Sequence, residues 1–541
     1  MRNKFEHSGL MIDNSRNAVM NVDTVKKMVD ILERLGCNML MLYTEDTYEI
    51  DNHPYFGYLR GRYSKAELKE MDAYARAHGV ELMPCIQTLA HLDAIMRWPR
   101  YEALQDCEAT LCAGEERVYR LIDNMFATLS ECFTSRFVNV GMDEAEMIGL
   151  GRYLQKHGYQ ERLLILQRHL HCVSDIARKY GFTVGIWSDM FYKLTTGGFY
   201  GENHSKSISE ETAQEIRQMI PDNVQLIYWD YSFRDQPHYD EHMECHLRIS
   251  DKVWFAGGFH CWAGFAPHNV FAMQTTKPAM DSCNKYNVKD VFFTMWGDNG
   301  AECSRFSILT TLYYSICLIQ GITDEAEMKR GFEKMFGISF DDFMLLDLPG
   351  TPNADDGVIN ADKYILYNDP FVGIYDITIP ESAGKDYAAC AERLECQCTH
   401  PEWGYLFRTL KELCKVLELK ANLGQRTRKA YQTDDKEELG RLIPIYYECI
   451  DRLQVFYEAF ENQWMTENKP YGFEVQDIRI GGLIQRMKHC AQRLQEYVQD
   501  DTSEIVELKE HILDPFGGGE VYVPEPFGVS SWSKICSVNI I

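Results

Sequence analysis

The chain has no apolar run approaching the roughly 18 residues that cross a bilayer, and its opening stretch, MRNKFEHSGLMIDNSRNAV, holds no apolar block of about 7–15 residues behind its charges. The expectation is a cytoplasmic chain that is neither exported nor membrane-embedded. Positive charge is scarce too. Lys and Arg number 55 against 81 Asp and Glu, a formal net charge of −26, and such a field repels phosphate backbones and anionic lipid surfaces, which argues against nucleic-acid and membrane partners. Neutral or cationic ligands fit better. Tandem repeats and low-complexity tracts are missing as well. Hydrophobic residues at 45% and charged ones at 25% supply a sizeable core and carry no mark of disorder.

Cysteine is abundant instead. Eighteen cysteines without an export signal or a repeated spacing read as reduced thiols buried as small hydrophobes. Two cysteine–histidine groups invite a metal reading: HMECH (His242, Cys245, His246), with one-face helical spacing, and CQCTH (Cys396, Cys398, His400). Neither has a second ligand pair at finger-like distance, so no metal is expected.

A length of 541 residues exceeds what one hydrophobic core usually serves, and two domains are the working organisation. The first 300 or so residues repeat one unit, a short apolar run followed by a polar loop and an amphipathic helix. In DTVKKMVDILERLG the apolar residues Val25, Met28, Val29, Leu32 and Leu35 form one stripe and Gly36 supplies a stop. In SKAELKEMDAYARAHG, Ser64 and Glu67 have capping-box spacing. Strands are expected at 10–15, 38–44, 80–87, 136–141, 182–188, 224–230, 252–258 and 289–297. Eight strands alternating with helices give the count of a (β/α)8 barrel, with a doubly wound open sheet as the alternative. The barrel is favoured because acidic, polar and aromatic residues gather at the strands' C-terminal ends, and a barrel brings all those ends onto one face.

The pattern changes near residue 321. Long helical runs take over at 436–464 and 475–499, so a catalytic barrel over 1–320 and an α-helical C-terminal domain over 321–541 are expected. Residues 345–385, rich in Pro, Gly and Asp, read as an irregular linker, and the tail EVYVPEPFGVSSWSKICSVNII as a further edge strand. The helical part is either a homodimer surface or a lid, or it simply packs against the barrel.

The most pointed stretch is VGMDEAEMIGLGR at 140–152, where Asp143 and Glu144 follow a buried apolar run. Either acid alone has a structural explanation as a helix cap. Four Trp residues at strand ends, Trp187, Trp229, Trp262 and Trp296, shift the balance, because a pyranose packs its C–H face on an aromatic plane while its hydroxyls want carboxylate and Arg partners. Adjacent residues on an extended segment point to opposite sides. Asp143 and Glu144 are therefore not expected to face one another across about 5 Å or 6.5–9.5 Å as in ordinary glycosidases. They need different duties: one acid protonates the leaving oxygen while the other holds a substrate group that is itself the nucleophile.

These residues resemble family 20 of the glycoside hydrolases, the β-N-acetylhexosaminidases, whose hallmark Gly-x-Asp-Glu stands here as Gly141-Met142-Asp143-Glu144. The resemblance spans roughly 8–320 and includes, in order, Arg16 in DNSR, the acidic end of YTED, His91 in QTLAH, Trp187 in GIWSD, Trp229 and Asp230 in YWD, and Trp296 and Asp298 in WGD. It implies that Glu144 is the general acid/base and that Asp143 orients the 2-acetamido group as its carbonyl oxygen attacks C1. A cationic oxazolinium-like intermediate would then favour an ionised Asp143, whose charge helps keep Glu144 protonated. Arg16 would bind the 3- and 4-hydroxyls and Asp298 the outer ones, with Trp187, Trp229 and Trp296 as walls. His91, with Glu45 or Asp46, would tune Glu144. The family's acetamido-binding Tyr near strand seven has no counterpart in WFAGGFHCWAGFAPH, which leaves Tyr228, His260 and Trp262 as candidates. The helical C-terminus matches the short, bacterial-type branch of the family, some of whose members are dimers.

The expected activity is therefore exo-acting, retaining release of a terminal GlcNAc or GalNAc from a small glycan, without metal or organic cofactor. The alternatives are a barrel glycosidase of another family acting on a non-acetamido hexose, and a non-catalytic carbohydrate-binding protein.

Overall fold

A computed structural model describes residues 5–196, 208–352, 360–515 and 532–540. Eight strands close into a parallel barrel in sequence order: β1 His7–Asp13, β2 Met39–Tyr43, β3 Glu81–Cys85, β4 Phe137–Asn139, β5 Thr183–Trp187, β6 Val224–Trp229, β7 Val253–Gly258 and β8 Asp290–Met295. Every expected strand forms. The closure is β1 on β8, with Leu10 opposite Phe293 and Ile12 opposite Met295, and it rules out the open sheet.

The strands are apolar on both faces because both are covered. Alternate residues such as Leu10, Ile12, Leu40 and Leu42 face the surrounding helices. The others, including Met11, Met41, Met83, Phe137, Trp187, Trp254 and Phe292, fill the barrel interior. Its methionines are unbranched and adapt to irregular gaps. Trp229 and Trp296 lie on this inner core, so the floor of the barrel's C-terminal mouth is the packed core itself.

Local signals act as their chemistry dictates. Asn21 caps helix Val22–Leu35 through Thr24 N, and Gly36 ends it at φ 77°. Ser64 and Glu67 form the capping box of helix Lys65–Ala77. The longest helices of the C-terminal region are Lys436–Glu467 and Phe473–Val498.

Residues 345–385 are more than a linker. They contain the helix Ala361–Tyr367, every residue of which is buried. Asp362 Oδ2 accepts the backbone N–H groups of Phe265 and Ala266 at 2.8 Å each, and Phe265 meets the rings of Phe456 and Phe460 from the long helix. The sequence pattern misses this because the segment is short and polar where it bonds to the barrel. The edge strand expected in the tail falls largely on residues outside the described ones; the described part there is a short helix, Trp532–Cys536.

The cysteines are free thiols, most of them buried. In the HMECH group, the two ring nitrogens of His246 pair with Ser188 Oγ at 2.8 Å and the His242 carbonyl at 2.7 Å. In CQCTH, His400 Nδ1 accepts the N–H groups of Glu402 and Trp403 at 3.2 and 3.1 Å, a turn just ahead of helix Gly404–Lys420.

Candidate active site

A pocket of about 200 Å³ opens at the C-terminal mouth of the barrel. That is less than the roughly 300–1,000 Å³ of sites for drug-sized ligands and suits one ring rather than a chain. Of the residues singled out from sequence nine line it: Arg16, His91, Asp143, Glu144, Trp187, Trp229, Trp262, Trp296 and Asp298.

Asp230 does not. Its Oδ2 accepts from Tyr228 OH at 3.0 Å and pairs with His238 Nε2 at 2.7 Å, and its Oδ1 accepts from Ser232 N at 3.2 Å. It fixes the turn after β6 and leaves the pocket to its neighbours, since successive residues point to opposite sides. Two pocket residues escaped the sequence reading, Tyr43 and Tyr231. Each had a signal: Tyr231 is two residues beyond Trp229, and Tyr43 is the last residue of β2, two before Glu45.

Tyr231 also bears on the absence of a tyrosine from the stretch near strand seven. Tyr228 is buried beneath the mouth, stacked 4.4 Å from His246, and His260 stands behind Trp262 with ring centroids 4.4 Å apart. Neither lines the pocket. Tyr231 does, with its hydroxyl accepting from Trp296 Nε1 at 3.1 Å and its ring 5.2 Å from Trp229 and 5.6 Å from Trp262.

The acidic motif is not extended. Gly141, Met142 and Glu144 have φ of 73°, 69° and 50°, a left-handed region costly for side-chain-bearing residues, and such strain persists only where the surroundings over-determine it. The kink turns both carboxylates toward one imidazole instead of to opposite sides. His91 Nε2 lies 3.2 Å from Asp143 Oδ2 and 3.6 Å from Glu144 Oε2.

Several groups hold the kink. Gln87 Oε1 accepts Met142 N–H at 3.2 Å, while its Nε2 donates to Asp143 Oδ1 at 2.7 Å and to Tyr43 OH at 3.1 Å. Asn139 Oδ1 accepts Gly141 N–H at 2.9 Å, and Asp189 Oδ2 accepts Glu144 N–H at 3.0 Å. A Cβ at Gly141 would sit 2.1 Å from Gln87 Oε1, so glycine is required for space as well as for φ.

The electrostatics separate the two acids. Asp143, with a side chain 13% exposed, is pushed up by burial, but the His91 charge and contact and the Gln87 hydrogen bond outweigh that and hold it below the ordinary carboxylate range. Glu144 is 52% exposed at the rim, with Lys193 Nζ 4.0 Å away. Burial pushes His91 down, yet the charge of Asp143 prevails and raises it to about 9. Deeper, Glu45 pairs with Arg16 at 3.0 Å and accepts from Tyr43 OH at 3.1 Å. Asp46 instead faces away to Arg60 at 2.9 Å, so of the two acids after β2 it is Glu45 that belongs to the site. Burial raises Glu45 to about 7 and Asp298 to about 6, in each case against the pull of Arg16.

Against known families, residues 5–253 match the model described as "Glycosyl hydrolase family 20, catalytic domain", and residues 341–519 match "Glycoside Hydrolase 20C C-terminal domain". Between them the two models cover well over half of the sequence.

The chain belongs to glycoside hydrolase family 20.

It is similar to Beta-hexosaminidase 3 of Arabidopsis thaliana, 25% identical over 206 residues that make up 35% of this chain and 38% of that protein. It is also similar to Hexosaminidase D of Bos taurus, 23% identical over 225 residues, 40% of this chain and 60% of that one. The matched stretches thus span less than two thirds of these relatives. The crystal structure of a β-N-acetylhexosaminidase from Bacteroides fragilis NCTC 9343 aligns with a TM-score of 0.46 at 19% identity, covering 61% of this chain and 71% of that one. Within this family-20 chain the catalytic-domain match ends in β7, so Trp262, Trp296 and Asp298 join the pocket through the barrel's closure rather than through the matched stretch.

Proposed function

We propose that the chain is an exo-acting, retaining β-N-acetylhexosaminidase that releases a terminal GlcNAc or GalNAc, with the substrate's own acetamido group as nucleophile. The observation that carries this reading is the convergence of an ionised Asp143 and a rim-exposed Glu144 on His91 inside a one-ring, aromatic-walled pocket.

In this mechanism the sugar packs against Trp229, Trp262 and Trp296, over the floor made by Trp187. Asp143 accepts the acetamido N–H, and Tyr231 donates to the carbonyl oxygen. That oxygen attacks C1 as the C1–aglycone bond breaks, and Glu144 gives its proton to the departing oxygen. The positive charge of the oxazolinium ring is stabilised by Asp143, which needs no reorganisation because Gln87 and His91 already fix it. Water then attacks C1 from the vacated face and Glu144 takes back a proton, so configuration is retained. Arg16 and Asp298 hold ring hydroxyls at the closed end, which admits a chain terminus and suits exo action.

Eighteen free thiols suit a reducing compartment, and we place the enzyme in the cytoplasm. The partner is a small glycan or glycoconjugate ending in an N-acetylhexosamine, and the helical C-terminal region is the surface we assign to a homodimer. The test is hydrolysis of 4-nitrophenyl N-acetyl-β-glucosaminide beside the plain β-glucoside. Turnover of the acetamido sugar alone is expected; equal rates on both would remove the acetamido group from the mechanism.

A further inference from the structure

The loop after β8 carries two pocket residues, Trp296 and Asp298, on an unusual backbone. Asp298, Gly300 and Ala301 have φ of 29°, 122° and 55°. Three left-handed residues within four positions do not hold their shape unaided. From within the barrel the loop's start is fixed by Gly297 N–H donating to Asp13 Oδ2 at 2.8 Å and by Arg305 Nη1 donating to the Trp296 carbonyl at 3.0 Å. Neither bond reaches the residues beyond Asp298.

Beyond Asp298 the loop closes on itself once, Ala301 N–H donating to the Gly297 carbonyl at 2.9 Å, and the side chains that hold it are in the helical C-terminal region. The Asn299 carbonyl accepts from Lys363 Nζ at 2.8 Å and Arg479 Nη1 at 3.0 Å, and the Asn299 side-chain oxygen accepts from Arg479 Nη2 at 2.8 Å. The Gly300 carbonyl accepts from Gln476 Nε2 and the Glu302 carbonyl from Gln463 Nε2, both at 3.3 Å. Glu302 Oε1 pairs with Lys363 and Arg479 at 2.9 Å each. Lys363 and Gln476 are fully buried, and Glu302 is 3% and Arg479 9% exposed. Two cations and one carboxylate in such a place are costly unless each is paired and hydrogen-bonded. Here the loop's own carbonyls complete that pairing.

We infer that Arg479, with Lys363 and Gln476, is a positioning residue for the sugar site: the C-terminal helices impose the 299–302 backbone and thereby set where Asp298 meets the substrate. The helical region thus shapes the pocket from behind the loop, without lining it, rather than being an appended module. This rests on the reading that Asp298 holds sugar hydroxyls. A displacement of about 1 Å in such a group is enough to cost up to about 10²-fold.

The test uses the full chain and the variants Arg479→Met, Gln476→Leu and Asp298→Ala. Arg479→Met leaves Glu302 paired with Lys363, so no carboxylate is stranded. Its expected effect is a KM for the nitrophenyl N-acetyl-glucosaminide raised roughly 10-fold with kcat within about threefold, and faster amide exchange at 299–302. In the Asp298→Ala background the same change should alter kcat/KM by less than about twofold, because the residue it positions is gone. An equal loss in both backgrounds, or unchanged exchange in the loop, overturns the inference. Should Arg479→Met not fold, Gln476→Leu, which removes one neutral hydrogen bond, decides by the same cycle. A wild-type chain inactive on every N-acetylhexosaminide would instead defeat the functional reading, while the exchange measurement would still judge the positioning.

Discussion

Gln87, just past β3, reaches Asp143 at the end of the neighbouring strand β4, its Nε2 2.7 Å from Oδ1, while its Oε1 accepts the N–H of Met142. One neutral side chain thereby fixes both the backbone and the carboxylate of the acidic motif. Leucine in its place fills similar volume but removes a hydrogen bond to a charged group, worth about 1.5–3 kcal/mol. Gln87→Leu should therefore lose about 10–100-fold in kcat/KM on aryl N-acetyl-glucosaminides. Gln87→Glu should lose more, because it sets a second carboxylate against Asp143. Kinetics of the two variants beside a thermal melt provide the check. Full activity in Gln87→Leu would show that Asp143 is held by His91 alone.

The two acids should fail differently. Glu144→Gln removes the proton donor, so turnover should fall steeply for alkyl glycosides and much less for nitrophenyl ones, whose leaving groups need little protonation. Asp143→Asn removes the charge opposite the oxazolinium, and the loss should be about 10²–10³-fold whatever the leaving group. Plotting log kcat against leaving-group pKa separates them: a steeper slope for Glu144→Gln, an unchanged slope on a lower line for Asp143→Asn. The same slope change in both variants would exchange or merge the assigned roles.

The barrel was legible because its signals are local and repeated. A run such as MLMLY at 39–43 is buried on both faces and can only be an interior strand, and the chemistry sits at strand ends, where position alone predicts convergence. The geometry of the acidic pair was not legible. Alternation along an extended chain predicts opposed carboxylates, but Met142 and Glu144 adopt positive φ under restraints from Gln87 and Asp189, residues distant in sequence. Asp230 failed for a related reason: a carboxylate two residues from a turn N–H and eight from His238 has a structural task that a strand-end rule overlooks. The docking through Asp362, Lys363 and Arg479 lay further out of reach, since nothing at those positions distinguishes a buried polar anchor from an exposed charge.

His91 gives the stability a pH dependence of known sign. Its ordinary value of 6.5 rises to about 9 beside Asp143, so its contribution is complete below about pH 6.5 and disappears as pH climbs through 9. His7 behaves alike, raised to about 9 through Asp290 and Glu81. Glu45, Asp189 and Asp298, raised to about 7, 7 and 6 by burial, lose their own contribution in a lower window, as pH climbs from the ordinary carboxylate range through those values. Urea midpoints should accordingly fall between pH 7.5 and 9.5, with a smaller fall in His91→Gln and in His7→Gln, and the smallest in the double variant. A wild-type midpoint flat across that window would contradict the His91–Asp143 ion pair.

Tyr231 offers the sharpest test of how the acetamido group is held. Its oxygen accepts from Trp296 Nε1 at 3.1 Å and also meets the Thr294 hydroxyl, and in the proposed mechanism its proton turns to the acetamido oxygen. Tyr231→Phe keeps the ring packed on Trp229 and Trp262 but removes that donor from the attacking carbonyl. Losing one such donor typically costs about 10²–10³-fold in kcat. The effect should fall on kcat more than on KM, since the hydrogen bond orients the nucleophile for attack and adds little to ground-state binding. Stranding the Trp296 N–H costs a further 1–3 kcal/mol of stability or so, visible as a lower melting temperature that Trp296→Phe in the same chain should partly restore. A variant with unchanged kcat and raised KM would place Tyr231 among the walls of the pocket and leave the acetamido oxygen to another donor.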